Sequence, residues 1–255
     1  MIRIACQTIT WGPEKIREHT AEVLKEIKKA GFNGVEIGAR HLDHSKPEYY
    51  SQLLGENGLD LVALHVGGDF LDHDSVNRQV ENIGKTVEFA VKLGVGYIFL
   101  SGTYRKDKTG DDYKFEAQTY NRIGGVCKEN GIKLCYHNHD WEIVNGLMGL
   151  KILLDNTGND LVYFVPDVGW VTRGGADPVK LIEETYDRVE AVHFKDFTKD
   201  NDFTELGSGI VNFKGVYESV KSRKDLWIVS EQDTSSKTPL ESASINCKYI
   251  ESLVR

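Results

Sequence analysis

Eight short apolar runs, each followed by a stretch of helical periodicity, recur along this chain at intervals of about 27 to 37 residues. The runs cover 2–8, 34–38, 61–66, 97–100, 132–139, 162–167, 189–196 and 226–232. Each is too short for a helix core and too continuously apolar for a solvent-facing strand, which marks it as a strand buried on both faces. The helical stretches between and after them cover 13–30, 47–57, 76–93, 113–130, 147–156, 178–186, 213–221 and 240–254. Gly31, Gly58, Gly94 and Gly131 follow four of these helices, where a left-handed residue stops the turn. Strict alternation of this kind demands parallel strands with helical crossovers.

Two architectures satisfy that demand. A doubly wound open sheet would place a glycine-rich phosphate turn after an early strand, and Gly67-Gly68 is not such a motif. Eight units in 255 residues match a closed (β/α)₈ TIM barrel, α/β in class, as a single domain spanning 1–255. No serine- or glycine-rich linker or shift in composition divides the chain.

Charge and composition remove several functions. The formal net charge is −8, and no lysine or arginine run offers a nucleic-acid footprint. No segment approaches the roughly 18 apolar residues that span a bilayer, and the first residues lack the apolar core of an export signal. The four cysteines, Cys6, Cys127, Cys135 and Cys247, form no CxxC pair and read as reduced, packed thiols. The expectation is a cytoplasmic protein that binds neither nucleic acid nor membrane.

In a barrel of this kind, chemistry sits at the C-terminal ends of the strands. Here those ends carry Gln7, Glu36, His65, Ser101, His137 and His139, Asp167, His193 and Lys195, and Glu231. Side chains alternate along a strand, so His137 and His139 share a side. Nitrogen and oxygen donors from four strand ends could meet at one divalent cation. A mixed His/Asp/Glu set suits Mn²⁺, Zn²⁺, Co²⁺ or Fe²⁺ better than the oxygen-seeking Ca²⁺ or Mg²⁺.

Five motifs give the chain a family likeness: Tyr136-His-Asn-His-Asp-Trp-Glu142, Pro166-Asp-Val-Gly-Trp170, His193-Phe-Lys-Asp196, Glu205-Leu-Gly-Ser-Gly209 and Ser230-Glu-Gln-Asp233. Together they resemble the xylose-isomerase-like TIM barrel superfamily, the sugar phosphate isomerases/epimerases, over essentially the whole chain. The resemblance implies a divalent metal held by Glu, Asp, His and Glu from strands five to eight. Asp167, His193 and Glu231 match the last three, and Lys195 matches a lysine beside substrate and metal. For the first ligand this chain offers Glu142 folding back from the loop, or else His137 or His139. Trp170 stands where the family's DNA-repair endonucleases place a zinc-binding histidine, which argues against a nuclease. Barrels of this superfamily frequently pair, so a homo-oligomer is the implied assembly.

The histidine in place of the strand-five glutamate weakens a two-glutamate epimerase scheme. It resembles instead the family's inosose dehydratases, which eliminate water beside a ketone. The expected reaction is proton abstraction next to a metal-bound ketone of a keto-sugar or keto-cyclitol. His137 or His139 serves as base, with the other histidine or Glu142 as acid. Lys195 steadies the enolate charge. Glu36 and His65 bind substrate hydroxyls, and Trp170 and Trp11 offer apolar walls to the ring. An unphosphorylated substrate is expected, because the 205–209 turn has no cation beside it except Lys214. A keto-sugar isomerase/epimerase is the alternative within the superfamily. A non-catalytic sugar-binding barrel is the alternative outside enzymes.

Overall fold

The computed structural model describes residues 2–223 and 225–254; Met1, Lys224 and Arg255 lie outside it. Eight strands form one sheet: Arg3–Gln7, Gly34–Gly38, Asp60–Gly67, Tyr97–Ser101, Lys133–His137, Val162–Val165, Ala191–Phe194 and Trp227–Ser230. The first six pair in parallel with their sequence neighbours, as do the last two, and the eighth returns beside the first with Arg3 opposite Trp227. Parallel bridges from Phe164 to Val189 and from Asp167 to His193 join strands six and seven. The ring is therefore closed, and the (β/α)₈ expectation holds.

Period-two alternation explains how the barrel fills. Ala5, Ala63, Phe99, Cys135, Val165, Ala191 and Val229 pack together inside the ring, with Val62 and Trp227. The intervening residues, such as Ile4, Leu64, Ile98, Leu134, Phe164, Val192 and Ile228, join the larger core between strands and helices. Each helix presents a matching stripe. Val23, Leu24, Ile27 and Ala30 of Thr20–Ala30 are buried on one face. Burying a side chain of this size contributes roughly 1.5–3 kcal/mol, so the outer layer carries most of the stability. The helix Val76–Leu93 ends as the sequence indicated, with Gly94 at φ 69°.

Some local features were not legible. The expected helix 13–30 is two helices, Pro13–Glu18 and Thr20–Ala30, because His19 leaves helical geometry at φ −131° and ψ 37°. A short helix, Val168–Arg173, follows strand six directly. Beyond strand seven, Asp196–Phe197 pairs with Phe203–Thr204 in a small antiparallel hairpin. The Asp196 carboxylate accepts backbone N–H bonds from Gly207, Gly209 and Val211 at 3.0, 2.9 and 3.2 Å, pinning the 205–209 turn against the rim. The four cysteines are free and buried. Among the described residues no helix is long and apolar enough to cross a membrane.

Candidate active site

The interior layer fixes what lies above it. Two residues past Ala5, Phe99, Cys135, Val165, Ala191 and Val229 come Gln7, Ser101, His137, Asp167, His193 and Glu231, on the same side of their strands. All of these polar groups therefore emerge at the C-terminal mouth. Two residues further come His139, Lys195 and Asp233. Small side chains beneath leave room for imidazoles above, and the Phe99 ring sits 5.6 Å from that of His193.

His137, Asp167, His193 and Glu231 converge: one ligand atom from each lies within 4.8 Å of the others. His137 Nε2 is 3.5 Å from Asp167 Oδ2 and 3.4 Å from Glu231 Oε2. His193 Nδ1 is 2.7 Å from Glu231 Oε2. Asp167 is positioned by its neighbours, since its Oδ1 accepts from the Trp170 N–H at 2.9 Å. Its backbone N–H donates to Asn138 Oδ1 at 3.0 Å. Glycine at 169 is a packing requirement, because a Cβ there would stand 2.4 Å from the Lys195 carbonyl oxygen.

Charge balance at this depth is demanding, since an unpaired buried carboxylate is costly. Lys195 Nζ lies 2.7 Å from Asp233, 3.1 Å from Glu231 and 3.4 Å from Asp167, and 4.3 Å above the Trp170 ring. Burial opposes a charged His193, yet Glu36 and Glu231 outweigh it and raise its pKa to about 10. Burial likewise works against His137, but Asp167 and Glu231 shift it upward. Glu231 is held well below the usual carboxylate range despite its burial, chiefly by Lys195.

The donor set fits a divalent cation. His137 Nε2 and Asp167 Oδ2 are buried without any hydrogen-bond partner, although they face each other across the cluster. Leaving such atoms unsatisfied costs roughly 1–3 kcal/mol each, which a shared cation removes. Two imidazoles and two carboxylates from four strands are a donor set for a first-row transition metal.

The cluster opens on a cavity of about 800 Å³, whose lining includes His65, Ser101, His137, His139, Glu231 and Asp233. His139 is stacked on Trp141, with centroids 4.1 Å apart and planes 9° apart, and its Nδ1 has no hydrogen-bond partner. Burial, with His137 and Lys195 nearby, depresses its pKa well below the ordinary value, so it is neutral at pH 7.

Four residues sit elsewhere than their expected roles would place them. Glu142, named first for the strand-five ligand, is outside the cluster. It is wholly buried, with Tyr136 OH donating to Oε1 and the His139 N–H to Oε2, each at 2.6 Å. Of the three candidates for that ligand, His137 is the one in the group, because Glu142 turns back toward its own strand. Glu36, expected on substrate, is fully buried and absent from the cavity lining. Its Oε1 lies 2.7 Å from His65 Nδ1. Its Oε2 is 2.7 Å from His193 Nε2, off hydrogen-bonding alignment. Burial disfavours its charge, but His193 and His65 prevail and lower its pKa to about 2. Trp170 lies under Lys195 and against Phe197, at 5.1 Å, rather than in the cavity wall. Trp11 is core, donating to Glu26 at 2.6 Å.

His65, expected on substrate hydroxyls, lines the cavity. Asn138 and Asp233 were not singled out from the sequence. Asp233 had a signal, its period-two spacing from Glu231. Asn138 had none, because it lies on the strand's opposite side.

Comparison with known proteins agrees with this geometry. A family model described as xylose isomerase-like TIM barrel matches residues 24–253. An inosose dehydratase of Geobacillus kaustophilus is 24% identical, the alignment covering 99% of this chain and 94% of that protein. A sugar phosphate isomerase/epimerase structure from Parabacteroides distasonis superposes with a TM-score of 0.85 at 23% identity, over 100% of this chain and 96% of that one. A structure titled IOLI protein with a binding zinc atom superposes at a TM-score of 0.79 and 14% identity, over 99% and 98%. With the family model covering most of its length, the chain belongs to the xylose isomerase-like TIM barrel family.

Proposed function

We propose that this protein is a metal-dependent lyase or isomerase that removes a proton beside the ketone of a keto-sugar or keto-cyclitol, with elimination of water as the favoured outcome. One observation carries the reading: His137 and Glu231 of the buried His137/Asp167/His193/Glu231 group line the same cavity as His139, a neutral histidine whose Nδ1 has no hydrogen-bond partner. Relatives named inosose dehydratase support a cyclitol substrate. The zinc in a structural neighbour supports Zn²⁺ among the candidates Mn²⁺, Zn²⁺, Co²⁺ and Fe²⁺.

A divalent cation in this group supplies positive charge that acidifies a C–H next to a ketone. The protein's own groups do the rest. His139 accepts the proton, because it is neutral and lines the cavity, with no hydrogen-bond partner at Nδ1. Lys195 stays protonated, since Glu231, Asp167 and Asp233 outweigh its burial and raise its pKa. It therefore serves as a fixed cation and not as a base. Asn138 and the Trp170 N–H hold Asp167 so that one oxygen faces the cluster.

Elimination is favoured over epimerisation because strand five brings His137 where a two-glutamate scheme needs a carboxylate, and among the described residues the cavity lining holds only Glu231 and Asp233 as carboxylates. Glu142 is sealed behind strand five and Glu36 beneath the histidines. The test is incubation of purified, metal-analysed protein with a keto-inositol and a 3-keto-glucoside, followed by NMR and ultraviolet absorbance. Elimination yields an absorbing enone or diketone. Epimerisation yields only deuterium wash-in and a new stereoisomer. Binding of both sugars with no conversion over hours would leave a sugar-binding barrel and refute the enzyme.

A further inference from the structure

Eliminating water requires a base at one carbon and an acid at the oxygen leaving the next. The two acids suggested by the sequence are engaged elsewhere: His137 sits in the cluster, and Glu142 is sealed by Tyr136 and the His139 N–H. A third group occupies the right place. His65 and His139 both line the cavity and flank His137 edge-on, with ring centroids 5.3 and 5.1 Å from it.

Their surroundings differ in the way an acid–base pair requires. His65 Nδ1 lies 2.7 Å from Glu36 Oε1, and Glu36 is fully buried. A carboxylate there accepts the Nδ1–H and fixes the orientation of the ring. His65 Nε2 is 2.8 Å from Ser101 Oγ, at the cavity wall. His139 instead stacks on Trp141 and has no carboxylate behind its ring nitrogen. We propose that His65, backed by Glu36, is the catalytic acid that protonates the departing hydroxyl across the site from His139. This assignment rests on the lyase reading above.

The step balances without a co-reactant. His139 takes the proton from the carbon beside the ketone, and the C–H electron pair moves into the enolate; as the carbonyl re-forms, that pair becomes the new C=C bond. The C–O bond at the adjacent carbon breaks, and the leaving oxygen takes its electron pair together with the proton from His65 Nε2, departing as water. His139 ends protonated and His65 neutral. Both regain their starting states by exchange with solvent in the cavity.

The experiment uses a keto-inositol in D₂O, and the same compound with fluoride replacing the leaving hydroxyl. Wild type, His65→Ala, His65→Gln and His139→Ala are followed by NMR, with metal content measured for each. The His65 variants should keep their metal, exchange the C–H within about threefold of wild type, and lose water elimination by roughly 10²–10⁴-fold. Fluoride elimination should persist, because fluoride leaves without a proton. His139→Ala should lose exchange and both eliminations. Water elimination near the wild-type rate in both His65 variants overturns the assignment, as does parallel loss of fluoride elimination. Wild-type protein that neither exchanges nor eliminates overturns the lyase reading itself, and the assignment with it.

Discussion

Glu142 Oε2 accepts a 2.6 Å hydrogen bond from the backbone N–H of His139, so the residue expected on the metal instead shapes the loop that presents the candidate base. Its other oxygen accepts from Tyr136 OH, also at 2.6 Å, on the strand that carries His137. Burial outweighs these bonds and raises the Glu142 pKa from the ordinary 4.5 to about 7. The folded protein thus holds a proton that the unfolded chain releases above pH 4.5. The stability from that proton is fully present below about pH 4.5 and is lost as pH rises through 7. At about 1.4 kcal/mol per pH unit, the loss is on the order of 3 kcal/mol. Glu142→Gln is expected to remove this slope. Urea unfolding of wild type and variant at several values between pH 4.5 and 8 measures it, and identical slopes would contradict the assignment.

Asp167→Asn keeps the shape of the side chain but discards the charge that faces His137 Nε2 at 3.5 Å. The expected outcome is protein that folds, purifies without bound metal by elemental analysis, and loses turnover by at least about a thousandfold. Full activity in metal-stripped wild type would remove the metal from the reaction.

His139→Ala separates the base from the cluster. His139 is not among the four converging residues, so the variant should retain its metal. Turnover should fall by about 10²–10⁴-fold. Loss of metal together with activity would instead place His139 among the ligands.

Lys195 is the ammonium among Asp167, Glu231 and Asp233, and it is almost wholly buried. Lys195→Met retains its length without its charge and leaves those carboxylates uncompensated. Breaking such a buried arrangement costs about 3–5 kcal/mol. Added Zn²⁺ or Mn²⁺ should recover part of the lost melting temperature by binding the folded state. Calorimetric melting with and without metal checks both effects, and an unchanged melting temperature in the variant would contradict the charge argument.

Legibility followed the distance over which each feature is encoded. Helix Val76–Leu93 was readable because its apolar stripe and Gly94 stop are local. The helix break at His19 was not, since the apolar period runs through it without a glycine or proline. Asp167, His193 and Glu231 were readable because strand parity places them two residues past interior side chains. Glu142 was misplaced because it lies in a loop, where parity gives no direction. Its partners, Tyr136 and the His139 N–H, emerge only once the loop has turned back. Glu36 was expected at a strand end but lies in the middle of Gly34–Gly38, where its depth depends on His65 and His193 arriving from strands three and seven.

The order of amino acids by itself determined eight alternating strands and helices, a closed barrel, and the rim on which the polar strand ends gather. These follow from period and spacing, which act over a few residues. Tertiary structure alone decided that His137 joins the cluster, that Glu142 faces its own strand, and that Glu36 supports two histidines from below. Each of those outcomes depends on which groups from distant strands share a few ångströms of low-dielectric space. There, pairing of charges sets position, and no local pattern encodes it.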